Sequence, residues 1–96
     1  MKAFLIAYVT VKDGGKMQAY AKAAGESMQA FGGKVFSKGI AQQQLAGEHE
    51  QQNVAVICFP NLENLESWYD SDDYQKLIPL RNEAADIILT SYMVPE

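Results

Sequence analysis

The pattern of apolar and polar positions divides this chain into alternating strands and helices. Ala3 to Val11 is apolar almost throughout, with Phe4, Ile6 and Tyr8 on one side and Leu5, Ala7, Val9 and Val11 on the other. Such a run predicts a strand covered on both faces. Asp13-Gly14-Gly15 breaks it and offers a helix N-cap. Met17, Tyr20, Ala21, Ala24, Met28 and Phe31 follow at helical spacing, and Gly32-Gly33 ends that helix, because glycine adopts a left-handed C-cap without steric cost. A second, more polar strand runs from about Lys34 into Ala41-Gln42-Gln43-Gln44, as suits a sheet edge. Gly47-Glu48-His49-Glu50 makes a turn, and Asn53 to Phe59 is a third strand, apolar on both faces. Asn61 caps a helix over Leu62 to Tyr69, and another segment starts around Ser71, its N-terminal dipole complemented by Asp70, Asp72 and Asp73. Pro79 must kink or restart that segment, since it has no N–H for the carbonyl of Gln75. Ile87 to Val94 is the last strand.

The order β-α-β-β-α-β predicts the ferredoxin-like split βαβ, an α+β fold whose four-stranded antiparallel sheet carries its helices on one face. Helices on one side cover only one sheet face, yet three of the strands are apolar on both. A solvated antiparallel sheet should alternate apolar and polar residues. The uncovered face therefore presents an apolar patch larger than soluble monomers usually tolerate. A second copy of the same sheet is the simplest cover, so the strands themselves point to a homodimer joined through sheet faces.

Composition narrows the partners. The chain has 96 residues, 48% of them hydrophobic, and reads as one domain over 1–96. Its net charge is −4 and it holds no Lys/Arg cluster. It thus lacks the basic footprint for nucleic acid or for an anionic membrane surface. Cys58 is the only cysteine, which excludes an intrachain disulfide and fits a reducing, cytoplasmic setting. Lys2 followed by an apolar run resembles a signal segment, but Tyr8, Thr10 and the β-branched residues make it a strand.

Candidate chemistry concentrates in Trp68-Tyr69-Asp70-Ser71-Asp72-Asp73-Tyr74-Gln75-Lys76-Leu77-Ile78-Pro79-Leu80-Arg81. Tyr74 and Arg81 lie seven residues apart, two helical turns, on a face shared with Leu77, Ile78 and Ala85. A cation on an apolar stripe wants an anion. Either a ligand carboxylate or carbonyl supplies it, with Ser71 and Tyr69 nearby, or a protein acid such as Glu83 or Asp86 does. His49, the only histidine, is a candidate general base by its ordinary pKa and a solvated turn residue by its position. A Cys58–His49 pair is disfavoured by the apolar strand around Cys58. One His, one Cys and scattered carboxylates make no metal site, and no glycine-rich phosphate motif or cofactor signature appears. Tyr8, Tyr20, Trp68, Tyr69 and Tyr92 serve either as pocket lining or as core.

Several of these stretches together resemble the family called domain of unknown function 1330, within the dimeric α/β-barrel superfamily. The resemblance rests on the helix with Tyr20, on Phe31-Gly32-Gly33-Lys34, on Phe59-Pro60 with Leu62, and on Trp68-Tyr69-Asp70-Ser71 through Leu80-Arg81. It implies a ferredoxin-like protomer pairing into a barrel, and it implies no reaction. Where members often carry an arginine before a glycine pair, this chain reads Lys38-Gly39-Ile40, and lysine lacks the bidentate fork.

Two functions are compatible with these residues. One is a binder of a small, partly apolar molecule bearing a carbonyl or carboxylate. Its pocket lies between helices and sheet, with Lys38, Tyr69, Ser71, Tyr74 and Arg81 as ligand contacts. Cofactor-independent acid/base work by His49, Tyr74 or Arg81 is its catalytic form. The other is a non-catalytic structural or interaction dimer in which those residues are caps, ion pairs and core.

Overall fold

A computed structural model describes residues 2–50 and 52–95. The elements run β1 (Ala3–Val11), α1 (Gly14–Gln29), β2 (Lys34–Ile40), β3 (Asn53–Phe59), α2 (Leu62–Asp70), α3 (Asp72–Gln75), α4 (Ile78–Ala84) and β4 (Ala85–Met93). The sheet is four-stranded in the order β2-β3-β1-β4, with each neighbouring pair antiparallel. This is the ferredoxin-like α+β arrangement that the element order predicts.

The capping chemistry acts where the sequence places it. Asp13 accepts from the Lys16 amide at 3.0 Å, Asn61 from the Asn64 amide at 2.7 Å and Ser71 from the Tyr74 amide at 3.2 Å. Gly32 has φ +78, the left-handed cap that glycine supplies. Gly33 is needed for a different reason, because a Cβ there would lie 2.7 Å from the Phe59 ring and 2.9 Å from Met28 Cβ. Pro79 restarts the chain as α4 after the single turn of α3.

Three boundaries differ from expectation. β2 stops at Ile40 because its partner β3 begins at Asn53; the Ala41 amide still donates to the Gln52 carbonyl at 2.7 Å, and Gln42-Gln44 have no strand to pair with. The glutamine amides there bond local carbonyls instead, Gln42 to Ile40 and Gln44 to Ala46. β4 begins at Ala85, two residues earlier than the apolar pattern suggests, because Val11 and Thr10 of β1 extend the ladder to Ala85 and Asp86. Phe31 lies beyond α1, which ends at Gln29.

The helices cover the face of β1 that carries Ala3, Leu5, Ala7 and Val9, all buried. Trp68, Tyr74 and Phe59 are the largest fully buried side chains. The opposite face shows Phe4, Ile6, Tyr8, Val54, Val56 and Cys58, which stay only half-buried. Ile88 and Tyr92 extend that apolar surface and are exposed.

One polar pair crosses the core. The Tyr20 and Tyr74 hydroxyls meet at 2.8 Å, joining α1 to α3. Burial first, and then this bond, push the Tyr20 phenol above its ordinary pKa of 10.0. Above that pH the unfolded chain releases a proton that the folded protein keeps. The stability linked to Tyr20 is therefore fully present below pH 10.0 and declines as pH rises past it. Denaturant titrations at about pH 9 and about pH 11 should show Tyr20→Phe losing roughly 1 kcal/mol less than wild type over that interval. Equal losses would remove the assignment. Gly33→Ala, by overpacking against Phe59, should cost about 1–3 kcal/mol and lower Tm by several degrees in calorimetry at matched concentration.

Candidate functional site

Helix α1 packs along α4 on its flank and on the sheet from below, where Tyr20, Ala24 and Met28 join Leu5, Ile57 and Phe59 in one buried cluster. Polar struts tie it to the other helical elements. Trp68 Nε1 donates to Ser27 Oγ at 2.8 Å, Lys16 Nζ approaches Glu83 Oε2 at 3.4 Å, and the Tyr20–Tyr74 bond adds a third tie. Asn64 Nδ2 also donates to the Phe31 carbonyl just past the helix end, at 3.1 Å. The side chains that α1 turns toward the sheet include Ala21, Ala24 and Gly25, and beneath them the strands present Ala7 and Ala55. Small residues on both layers leave a cavity of about 710 Å³ between α1 and the sheet.

The lining of this cavity is apolar except for a few groups: Gln18, Tyr20, Lys38, Gln42 and Asn53 carry polar side-chain atoms, as does Trp68, whose Nε1 is taken by Ser27. No aspartate or glutamate lines it, so Lys38 is its charged residue. Lys38 arrives there through a bulge. Val35 pairs with Ile57 and Ser37 with Val56, so Phe36 is an extra residue on β2. Lys34 pairs with Cys58 on the outer face, and strict alternation would have put Lys38 on that face too. The bulge shifts the count by one, and Lys38 pairs instead with Ala55 on the helix side.

Arg81 stands behind the cavity wall and does not line it. Its Nη1 donates to Tyr74 Oη at 3.0 Å and to Tyr69 Oη at 3.4 Å, and its Nε to Asn82 Oδ1 at 3.4 Å. The carboxylates that might have paired it are engaged elsewhere, Glu83 with Lys16 and Asp86 with Lys12 at 3.7 Å. Burial opposes the Arg81 charge, but the Tyr69 and Tyr74 hydroxyls outweigh it and hold the guanidinium pKa above its ordinary value. Arg81 and Tyr74 thus meet as their spacing suggests, although α3 and α4 are separate elements. Ser71 is committed to the backbone, donating to the Trp68 carbonyl at 2.6 Å while capping α3. Tyr69 borders a smaller pocket of about 290 Å³ near Leu65, Glu66, Asp70 and Ser91.

His49 is far from this group. Its ring meets Tyr8 edge-on at a centroid distance of 4.8 Å, which puts it over the outer sheet face. Cys58 shares that face opposite Phe4, four residues along β1 from Tyr8 and roughly 13 Å away at strand spacing. No Cys–His couple forms. Among the described residues no cluster of His, Cys, Asp and Glu comes together as a metal-ligand set, and no helix is long and apolar enough to cross a membrane. The single pocket expected to hold Lys38, Arg81, Tyr74, Ser71 and His49 is therefore three places: the cavity with Lys38, the helical layer with Arg81, Tyr74, Tyr69 and Ser71, and the outer face with His49.

Sequence reasoning passed over Gln18 and Asn53 as contacts and left Tyr20 open between pocket lining and core. A signal for Tyr20 existed in the run of small residues beside it, Ala21, Ala24 and Gly25, which cannot fill the space under a helix.

Solved structures resembling this fold are distant in sequence. A protein of unknown function from Rhodopseudomonas palustris, RPA0582, superposes with TM-score 0.81 at 17% identity, covering 98% of this chain and 82% of that one. SnoaB, a cofactor-independent oxygenase from Streptomyces nogalater, gives TM-score 0.70 at 4% identity, covering 99% and 94%. A dimeric ferredoxin-like protein of unknown function from Thermobifida fusca gives 0.60 at 10% identity, covering 98% and 92%. No curated protein sequence matches. The family model described as Domain of unknown function (DUF1330) matches residues 2–93, and the chain belongs to that family.

Proposed function

We propose that this protein is a homodimer joined through the outer sheet faces, each protomer binding a small, largely apolar molecule bearing a carbonyl or carboxylate. The observation that carries the binding reading is the cavity of about 710 Å³ under α1, which has the size and apolar lining of small-molecule sites. Lys38 at its polar side is the cation for the ligand's oxygen, in a lining free of carboxylates that would repel an anion. Arg81, Tyr74, Tyr69 and Ser71 act behind the wall as positioning residues. His49 belongs to the opposite face and has no part in this site.

The dimer reading is supported by the apolar outer face and by the Thermobifida fusca protein of like fold, which is described as dimeric. The lone Cys58 is in keeping with a cytoplasmic location. Cofactor-independent chemistry of the kind named for SnoaB is the enzymatic form of this reading.

Native mass spectrometry of the purified protein should give twice the chain mass, together with any small molecule retained from the host. Ile6 sits at the centre of the outer face, between Val56 and Thr90. Placing an unpaired charge there with Ile6→Arg should cost the dimer about 3–5 kcal/mol and yield a monomer at micromolar concentration. A wild-type monomer under those conditions overturns the dimer.

Gly25 tests the cavity. It lies inside α1 and lines the space, and an added Cβ there meets nothing within 4 Å. Gly25→Leu should leave the fold intact, since leucine favours a helix interior over glycine by about 1 kcal/mol. By filling the cavity it should weaken binding of ethylbenzene about tenfold or more in calorimetric titration. Undiminished binding places the probe elsewhere and leaves the non-catalytic dimer as the function.

A further inference from the structure

Hydrogen-bond bookkeeping around Tyr74 singles out one group at the cavity. Tyr74 is fully buried, at 0% exposure, and its hydroxyl touches Arg81 Nη1 at 3.0 Å and Tyr20 Oη at 2.8 Å. A hydroxyl has a single hydrogen to give, and arginine only donates. Arg81 therefore points its N–H at the Tyr74 oxygen, and Tyr20 is the one neighbour that can accept the Tyr74 hydrogen. Either direction leaves one phenol hydrogen without a protein acceptor among the described residues. The reverse leaves it on Tyr74, which is fully buried and away from the cavity, whereas this one leaves it on Tyr20, which lines the cavity. The favoured direction therefore runs along the chain Arg81, Tyr74, Tyr20. The Tyr20 oxygen accepts from Tyr74, and its own hydrogen has no protein acceptor among the described residues.

Tyr20 is only 6% exposed, yet it lines the cavity under α1. Tyr74 and Arg81 do not line it. A phenol on a cavity-lining residue, its hydrogen without a protein acceptor in this direction, can be met by an acceptor from outside the chain. The charge on Arg81, relayed through Tyr74, makes Tyr20 a better donor than an isolated phenol. Its raised pKa keeps the proton in place at any physiological pH.

We infer that the Tyr20 hydroxyl is the hydrogen-bond donor of the cavity, oriented by Tyr74 and Arg81 to grip a carbonyl or carboxylate oxygen of the ligand. This rests on the cavity being a binding site and adds which atom holds the ligand's oxygen. Lys38 then supplies charge at the polar side while Tyr20 supplies direction. The ligand class follows as a compact apolar body with one strong acceptor. A hydrocarbon would leave the donor unmet, and a cationic head would find no acid in the lining.

Acetophenone and ethylbenzene test this, since they differ by a carbonyl in place of a methylene. Both should bind the wild-type dimer, and the infrared carbonyl band of bound acetophenone should lie lower than in an alkane solvent. Tyr20→Phe keeps the ring, and it should weaken acetophenone about tenfold more than it weakens ethylbenzene and return the band toward its alkane position. Tyr74→Phe keeps the Tyr20 hydroxyl but removes the group that aims it, so the downshift should shrink without vanishing. A band at its alkane position in wild type, or a downshift that persists in Tyr20→Phe, overturns the role of Tyr20 while the cavity stands. Failure of both probes to bind wild type overturns the cavity reading itself. The wild-type infrared measurement holds even where a variant fails to fold.

Discussion

A helix tied at its flank by polar bonds, as well as packed on the sheet from below, explains most of what is distinctive in this molecule. The Tyr20–Tyr74 and Trp68–Ser27 bonds join α1 to the helical elements beside it. Large side chains of α1, Met17, Tyr20 and Met28, pack on the strands, and small ones between them leave the gap. Close packing is the normal state of a protein interior, and the inner walls of this half-open cleft forfeit some of those dispersion contacts. The polar framework ends at the cavity surface, because Tyr20 is both a strut and part of the lining.

The sheet divides the protein's two needs between its faces. The odd-numbered residues of β1 serve the core and the cavity, while Phe4, Ile6 and Tyr8 serve the outer face. Strand residues alternate sides, so substitutions at neighbouring positions of β1 test unrelated properties. Ile6 reports on the outer face, whereas Leu5 and Ala7 report on the cavity. The separation also places His49 on the outer face, since its ring rests on Tyr8.

Arg81 illustrates how a residue can be correctly noticed and differently employed. Its place on an apolar stripe near Tyr74 marks it as a cation in need of a partner, and neutral phenol oxygens meet that need. Phenols stay within reach because Trp68, Tyr69 and Tyr74 pack edge-on and tilted in one aromatic cluster. Glu83 and Asp86, close in sequence, point to the lysines at the two ends of the β1–α1 turn. Sequence proximity ranks partners by distance along the chain, and a short helix leading into a strand reorders them.

The order of elements, the three side-chain caps, the glycine helix stop and the two-faced strands were all decided by the sequence itself. Each depends on residues within a turn or two, or on the fixed two-residue period of a strand, so local chemistry suffices. Which face of β1 meets the helices was decided only by the tertiary structure, because both faces are apolar and periodicity cannot rank them. The side on which Lys38 emerges was decided there too, by one extra residue at Phe36 that no local pattern marks. The direction of the Arg81–Tyr74–Tyr20 relay likewise appears only on folding. It requires a donor that cannot accept, a buried hydroxyl and a cavity wall, brought together from α4, α3 and α1.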